Sequence, residues 1–118
     1  MLTLYGIPNC DTVKKARTWL AAAGVPYVFH NYKASGIDAA SLARWTAALG
    51  WAAVLNRSGT TFRALSEADK AIPDSDRAIA LMLAQPSMIR RPILEGEWRG
   101  KPLLLAGFKP EIYARQLG

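Results

Sequence analysis

The chain passes from strand to helix within residues 5–15, which read Tyr5-Gly6-Ile7-Pro8-Asn9-Cys10-Asp11-Thr12-Val13-Lys14-Lys15. The apolar run that leads into this segment, Leu2–Tyr5, is typical of a buried strand, and Gly6 and Pro8 interrupt that pattern. The polar residues that follow open an amphipathic helix, predicted over about Asp11–Ala23. Cys10, the single cysteine of the chain, is therefore expected at the turn between the strand and the helix.

This position favours a reactive thiol. The first N–H groups of a helix lack partners within the helix and lie at the positive end of its dipole, so they stabilise a nearby anion. A cysteine there is expected to have a lowered pKa and to be nucleophilic near neutral pH. The amides of Asp11, Thr12 and Val13 form the predicted anion site. The alternative, a cysteine that only packs as a small apolar residue, stays open at this point.

Composition limits the class of protein. The chain has 118 residues, 51% of them hydrophobic, which predicts one domain with a substantial core. No apolar run reaches the roughly 20 residues that cross a bilayer, and no signal-peptide pattern is visible, so we expect a cytoplasmic protein that binds no membrane. One cysteine and one histidine leave no recognisable metal site. The net charge of +6 comes from scattered basic residues, which favours a solvated face or a local anion site over nucleic-acid binding.

The rest of the chain continues the pattern of an α/β protein. The predicted elements are a strand at Val25–His30, a polar loop at Asn31–Gly36, helices at about Asp38–Leu49, Ala52–Leu55, Asp69–Ile72 and Asp74–Ala84, strands at Met88–Leu94 and Lys101–Leu105 around a turn at Glu95–Gly100, and a helix at Lys109–Leu117. The first two strands are expected to be parallel and the last two to form an antiparallel hairpin. This order, βαβ…ββα, predicts a single thioredoxin-like domain over residues 1–118 with a helical insertion at about residues 38–85. Cys10 would lie at the carboxyl end of the first strand, where ligands bind in open α/β sheets.

Four segments carry a resemblance to a known family: Leu4–Ala16, Leu55–Arg63, Arg90–Leu94 and Gly107–Phe108. In order and spacing the sequence resembles the arsenate-reductase (ArsC) family, and within it the YffB-like branch. The resemblance implies a thioredoxin-like fold in which the cysteine after the first strand attacks the substrate. Reduction would then proceed through a mixed disulfide with glutathione or glutaredoxin. It further implies that Arg91 binds an oxyanion and lowers the thiol pKa, and that Pro92 is a cis-proline facing Cys10.

The sequence departs from the family pattern at several positions. Arsenate reductases of this type carry a histidine four residues before the nucleophile, where this chain has Gly6. They carry an arginine in the middle loop, where it has Asn56 beside Arg57, and another near Gly107–Phe108. These departures favour a general glutathione-dependent thiol reductase over an arsenate reductase. The related Spx-like regulators often carry a Cys-x-x-Cys switch, which cannot form here because Val13 occupies the second position.

A lone cysteine cannot resolve its own adduct through an internal disulfide. A second thiol must come from solution, and glutathione is the expected co-substrate. Cationic side chains that could pair with its carboxylates or with an oxyanion are Arg57, Arg63, Arg90, Arg91 and Lys101. We predict Cys10 and Arg91 as catalytic residues, and Asp11, Thr12, Val13, Arg57 and Pro92 as substrate-binding residues. We expect a monomer that has no bound cofactor and acts on a small-molecule or disulfide substrate. The rival hypothesis is a non-catalytic Spx-like regulator or protein-binding module.

Overall fold

The computed structural model describes all 118 residues and divides the chain into two compact units. The first consists of Met1–Ser35 and Arg91–Gly118, and the second is Gly36–Arg90. The second unit includes the whole segment that the sequence predicts as a helical insertion. None of the helices combines the length and the apolar character needed to cross a membrane.

The first unit is built around a four-stranded sheet. Its strands are β1 (Leu2–Gly6), β2 (Tyr27–Asn31), β3 (Ile93–Trp98) and β4 (Lys101–Ala106). They lie in the order β2-β1-β3-β4, with β1 parallel to β2 and β3 antiparallel to both β1 and β4. The helices of the chain are α1 (Asp11–Ala22), α2 (Tyr32–Ser35), α3 (Ala39–Leu49), α4 (Trp51–Val54), α5 (Thr60–Arg63), α6 (Glu67–Lys70), α7 (Ser75–Ala84) and α8 (Pro110–Leu117). The predicted α/β, thioredoxin-like order βαβ…ββα is confirmed.

Helices α1 and α8 supply apolar side chains to the core of the first unit. The apolar face of α1 is buried, and its residues Val13, Ala16 and Leu20 have no exposed surface. Pro110 begins α8, a position where its missing N–H costs nothing. The core cluster comprises Leu2, Leu4, Ala16, Leu20, Val25, Leu94, Tyr113 and Leu117. Full burial of each large side chain contributes about 1.5–3 kcal/mol, so this cluster holds the two helices to the sheet.

The second unit contains the five helices α3–α7 and a 3-10 turn at Pro86–Met88. Asp38 is the N-cap of α3, and its carboxylate accepts a hydrogen bond from the N–H of Ser41 at 2.8 Å. Sequence patterns missed α5 and placed α6 two residues too late. The apolar face of α7 buries Ala78, Leu81 and Met82, whereas Leu83 is 39% exposed.

The final hairpin begins later than the sequence pattern predicts. Met88 belongs to the second unit, where its carbonyl accepts a hydrogen bond from the N–H of Asn56 at 2.7 Å. The predicted strand Met88–Leu94 therefore starts too early, and β3 begins only at Ile93. The predicted turn at Glu95–Gly100 shortens to Arg99–Gly100, with φ of 54° and 81°. Positive φ at both positions matches the twist of a two-residue hairpin.

The segment predicted as a polar loop, Asn31–Gly36, contains helix α2. The side-chain oxygen of Asn31 accepts hydrogen bonds from the N–H groups of Lys33 at 3.1 Å and Ala34 at 3.3 Å. Asn31 therefore satisfies two of the free donors at the start of this short helix. Helix α2 places Tyr32 in the interior, where it has no exposed surface.

Candidate active site

Cys10 lies between β1 and α1, at the carboxyl end of β1. It is the N-cap residue of α1, with extended backbone angles of φ −116° and ψ 124°. Its carbonyl accepts the N–H of Lys14 at 3.0 Å, which is the first hydrogen bond of the helix. Cys10 is partly exposed.

The close contact between Gly6 and α1 leaves little space for a side chain at position 6. Gly6 is buried at the end of β1, and a Cβ added there would lie 2.9 Å from Cγ2 of Val13. That distance is shorter than real Cβ contacts, and Val13 is itself fully buried. The histidine that the resemblance places at this position therefore has no room here unless the helix shifts.

The pKa of Cys10 is lowered by its surroundings. Burial of the sulfur raises the pKa, but the N–H of Val13, the guanidinium of Arg91 and the N–H of Thr12 together outweigh that effect. The side chain makes no cap hydrogen bond of ordinary geometry, so the two amides act as imperfectly aligned donors. The hydrogen bond and positive charge of Arg91 complete the stabilisation of the thiolate.

Arg91 connects Cys10 to a buried tyrosine. Its guanidinium acts on both the thiol of Cys10 and the hydroxyl of Tyr32, through hydrogen bonding and through its charge. Burial lowers the pKa of Arg91, but these two contacts raise it further, so the side chain remains a cation. Burial raises the pKa of Tyr32 to about 12, although the charge of Arg91 opposes that rise. The cluster thus combines a hydroxyl whose pKa is raised, a guanidinium cation and a thiol whose pKa is lowered.

Sequence patterns did not identify Tyr32 because it falls in a segment interpreted as a polar loop. One signal was present. Asn31 is a preferred N-cap residue, and Gly36 follows after four residues compatible with a helix. These are the start and stop signals of a short helix. The contact of the Tyr32 side chain with Arg91 depends on tertiary packing, and no local sequence pattern predicts it.

Pro92 follows Arg91 at the entrance to β3. The peptide bond between them is cis, which confirms that part of the prediction from the resemblance. Pro92 is buried, and its carbonyl accepts a hydrogen bond from the N–H of Gly107 at 2.8 Å. This contact extends the pairing of β3 with β4 by one residue and fixes the backbone next to Arg91. That Pro92 faces Cys10 and contacts substrate remains a prediction.

The other predicted substrate-binding residues lie in both units. Asp11 and Thr12 are exposed in the first turn of α1, and Val13 is buried with its amide near the sulfur. Arg57 belongs to the second unit, where its guanidinium lies 5.7 Å from the centre of the Trp51 ring. The roles of these four residues in substrate binding remain predictions. The structure contains no group of three histidine, cysteine, aspartate or glutamate side chains that could hold a metal ion.

Known proteins resemble this chain over most of its length. The structure of the YFFB protein (PA3664) is 58% identical, covers 100% of both chains and superimposes with a TM-score of 0.91. An arsenate reductase (ArsC) related protein from Brucella melitensis is 51% identical, covers 97% of this chain and 92% of its own, and has a TM-score of 0.73. An uncharacterized protein from Haemophilus influenzae is 38% identical over 96% of both sequences.

Transcriptional regulators form a more distant group of relatives. The global transcriptional regulator Spx from Bacillus subtilis is 28% identical over 84% of this chain and 76% of its own sequence. The family model described as "ArsC family" matches residues 5–115, which include Cys10, Tyr32, Arg91 and Pro92. On the strength of that match, the chain belongs to the ArsC family.

Proposed function

We propose that the protein is a glutathione-dependent thiol oxidoreductase in which Cys10 is the nucleophile. The observation that supports this most strongly is the place of Cys10 at the start of α1, where the helix amides and the guanidinium of Arg91 lower the pKa of the thiol. A thiolate is the reactive form of cysteine, and a guanidinium together with helix amides increases its population near neutral pH. The same donors would stabilise negative charge that develops on a bound oxyanion or a departing thiolate.

The proposed reaction has two thiol–disulfide exchanges. In the first, the Cys10 thiolate attacks the glutathione sulfur of a mixed disulfide RS–SG, so that Cys10–S–S–G forms and RS⁻ leaves to take up a proton. In the second, the thiolate of another glutathione attacks the glutathione sulfur of this adduct, which forms GSSG and releases the Cys10 thiolate. The sum is RS–SG + GSH → RSH + GSSG, in which the substrate gains the two electrons that glutathione loses.

Glutathione is proposed as the co-substrate because the chain has one cysteine and no second thiol to resolve the adduct. The amides of Asp11, Thr12 and Val13, together with Arg57 and Pro92, are the proposed substrate-binding groups. Glutaredoxin is a proposed protein partner that could replace the second glutathione. We further propose that the protein acts as a cytoplasmic monomer without a bound cofactor.

The proposal is tested by turnover of a glutathione mixed disulfide in the presence of glutathione, coupled to glutathione reductase and NADPH. Wild-type protein should accelerate NADPH consumption, Cys10→Ser should abolish the acceleration, and Arg91→Ala should reduce it at least about tenfold. Mass spectrometry of protein treated with GSSG should find one glutathione on Cys10. Absence of both turnover and adduct in the wild-type protein would refute the proposal.

Arsenate is a second substrate to test in the same assay. Its reduction would require the donors around Cys10 to bind a tetrahedral oxyanion without the histidine that the resemblance places at Gly6. We expect slower turnover with arsenate than with a mixed disulfide. Arsenate turnover equal to or faster than disulfide turnover would assign the protein to arsenate reduction instead.

A non-catalytic regulator is the second candidate, favoured by the similarity to Spx global transcriptional regulators. In that case the thiol would serve no turnover, and a protein partner would bind Cys10→Ser as tightly as wild type. Turnover that depends on Cys10 distinguishes the oxidoreductase from this alternative.

A further inference from the structure

Tyr32 is a buried polar side chain beside Arg91, and the proposed reaction does not use it. It is fully buried, and its hydroxyl oxygen accepts a hydrogen bond from the guanidinium of Arg91. A buried hydroxyl that accepts from a charged donor makes a stronger contact than a neutral pair does. The contact therefore constrains both groups.

The fold brings Tyr32 to the same edge of the sheet as Cys10. In the parallel pair of β1 and β2, Gly6 lies opposite Asn31. The segment that carries Cys10 follows Gly6, and α2 follows Asn31. Both segments therefore leave the sheet at the carboxyl ends of β1 and β2. The hydrogen bonds from α2 to the side chain of Asn31 anchor the helix start, and Tyr32 is its first residue.

We propose that Tyr32 is a positioning residue whose hydroxyl oxygen holds the guanidinium of Arg91 against the sulfur of Cys10. Arginine has several rotatable bonds, and fixing them costs up to about 2 kcal/mol of side-chain entropy. Its planar head carries five N–H donors, so it can bind Tyr32 and Cys10 at once. One contact already restricts the side chain and lowers the entropic cost of the other. The inference rests on the proposed function only in taking Cys10 as the reacting group.

Tyr32 performs this task as a neutral group. Its pKa of about 12 keeps the hydroxyl protonated throughout the range in which a thiol titrates. The charged groups that act on Tyr32 are Arg91 and the Cys10 thiolate, and the charged group that acts on Cys10 is Arg91. A titration of the Cys10 thiol is therefore not mixed with ionisation of Tyr32.

Replacement of Tyr32 by Phe tests the inference, because it removes the hydroxyl and keeps the ring. The rate of Cys10 alkylation by iodoacetamide, measured against pH, should then give a thiol pKa at least about 0.5 unit above wild type. The double variant Tyr32→Phe/Arg91→Ala should have the same thiol pKa as Arg91→Ala alone, since Tyr32 acts through Arg91. Tyr113→Phe is the matched control: Tyr113 is also buried, but its hydroxyl has no hydrogen-bond partner, so the thiol pKa should not change.

A folded Tyr32→Phe variant with an unchanged or lower thiol pKa would overturn the inference. If that variant does not fold, the guanidinium resonances of Arg91 in the wild-type protein decide the question by NMR. Separate, slowly exchanging Nη signals are expected of a guanidinium held by two acceptors, and a single averaged signal would contradict it. Neither measurement uses glutathione, so failure of the inference is distinct from failure of the proposed turnover.

Discussion

The reactivity of Cys10 depends on opposing influences on one thiol. Burial of the sulfur favours the neutral form, whereas the amides of Val13 and Thr12 and the side chain of Arg91 favour the thiolate. Amides of this kind are present at any helix start, so Arg91 is the contribution that distinguishes this chain from a cysteine at an arbitrary helix. Sequence reasoning identified Cys10 from its place before a helix and Arg91 from the resemblance. It could not find Tyr32, whose contact with Arg91 joins residues 59 positions apart.

Replacement of Arg91 by Ala should raise the pKa of Cys10 by about one unit or more, because it removes both a donor and a charge beside the sulfur. The rate of alkylation measured against pH reports this shift. Arg63→Ala removes an equal charge from an exposed position and serves as the control, with no shift expected. Equal thiol pKa values for Arg91→Ala and Arg63→Ala would show that Arg91 does not lower the pKa of Cys10.

The elements of the fold were largely predictable, and the errors occurred at their boundaries. The strand–helix–strand order followed from periodicity and from the turn residues Gly6 and Pro8. The last hairpin was misplaced because the apolar run at residues 88–94 serves two purposes: Met88 packs in the second unit, whereas Ile93 begins β3. A local pattern of hydrophobicity cannot distinguish burial in one unit from burial in another. Prediction of the site depended on β1 and α1, whose joint was located correctly.

The joint between β1 and α1 depends on the missing side chain of Gly6. Gly6→Ala should lower the free energy of unfolding by about 1–3 kcal/mol, because the new Cβ overlaps the buried side chain of Val13. Urea denaturation at neutral pH measures the change. In a Val13→Ala background the same substitution should cost less, since the overlapping methyl groups are gone. An equal cost in both backgrounds would contradict the proposed overlap.

Two tyrosines are buried in the first unit of the molecule, and they differ in whether their hydroxyls have a hydrogen-bond partner. Tyr32 has Arg91 as its partner, whereas the Tyr113 hydroxyl has none. Tyr113 is held by ring contacts instead, edge to face with Phe108 at 4.7 Å and with Trp19 at 5.5 Å between centroids. That its hydroxyl lacks a partner could not be predicted from the sequence. The hydrogen bonding of this hydroxyl depends on which donors and acceptors the packed core places near it.

Tyr113→Phe should increase the free energy of unfolding by about 1 kcal/mol at neutral pH, because it removes a buried hydroxyl without a partner and retains both ring contacts. Tyr32→Phe should decrease it by about 1 kcal/mol, since that hydroxyl is hydrogen-bonded. Urea denaturation of the two variants compares them directly. Destabilisation by Tyr113→Phe would indicate a partner for its hydroxyl.

The protein should lose stability in alkali through these tyrosines. Burial raises the pKa of Tyr32 to about 12, whereas an unfolded tyrosine titrates near pH 10. Because the folded-state pKa is the higher one, the stabilisation is complete below about pH 10 and is lost as the pH rises to about 12. Burial also raises the pKa of Tyr113, so it contributes in the same direction.

Urea denaturation at successive pH values above 9 tests this dependence. Each tyrosine should steepen the loss by at most about 1.4 kcal/mol per pH unit, and each substitution by Phe should remove its share. Curves of equal slope for wild type, Tyr32→Phe and Tyr113→Phe would show that neither group is responsible.

The claim that Cys10 is an activated thiolate is tested most directly by the pH dependence of its alkylation in the wild-type protein. As the single cysteine of the chain, it gives one titration curve without assignment. An activated thiolate should give a midpoint clearly below the value of about 8.5 for an unperturbed thiol. A midpoint at or above about 8.5 would contradict it, because burial of the sulfur would then outweigh Arg91 and the helix amides.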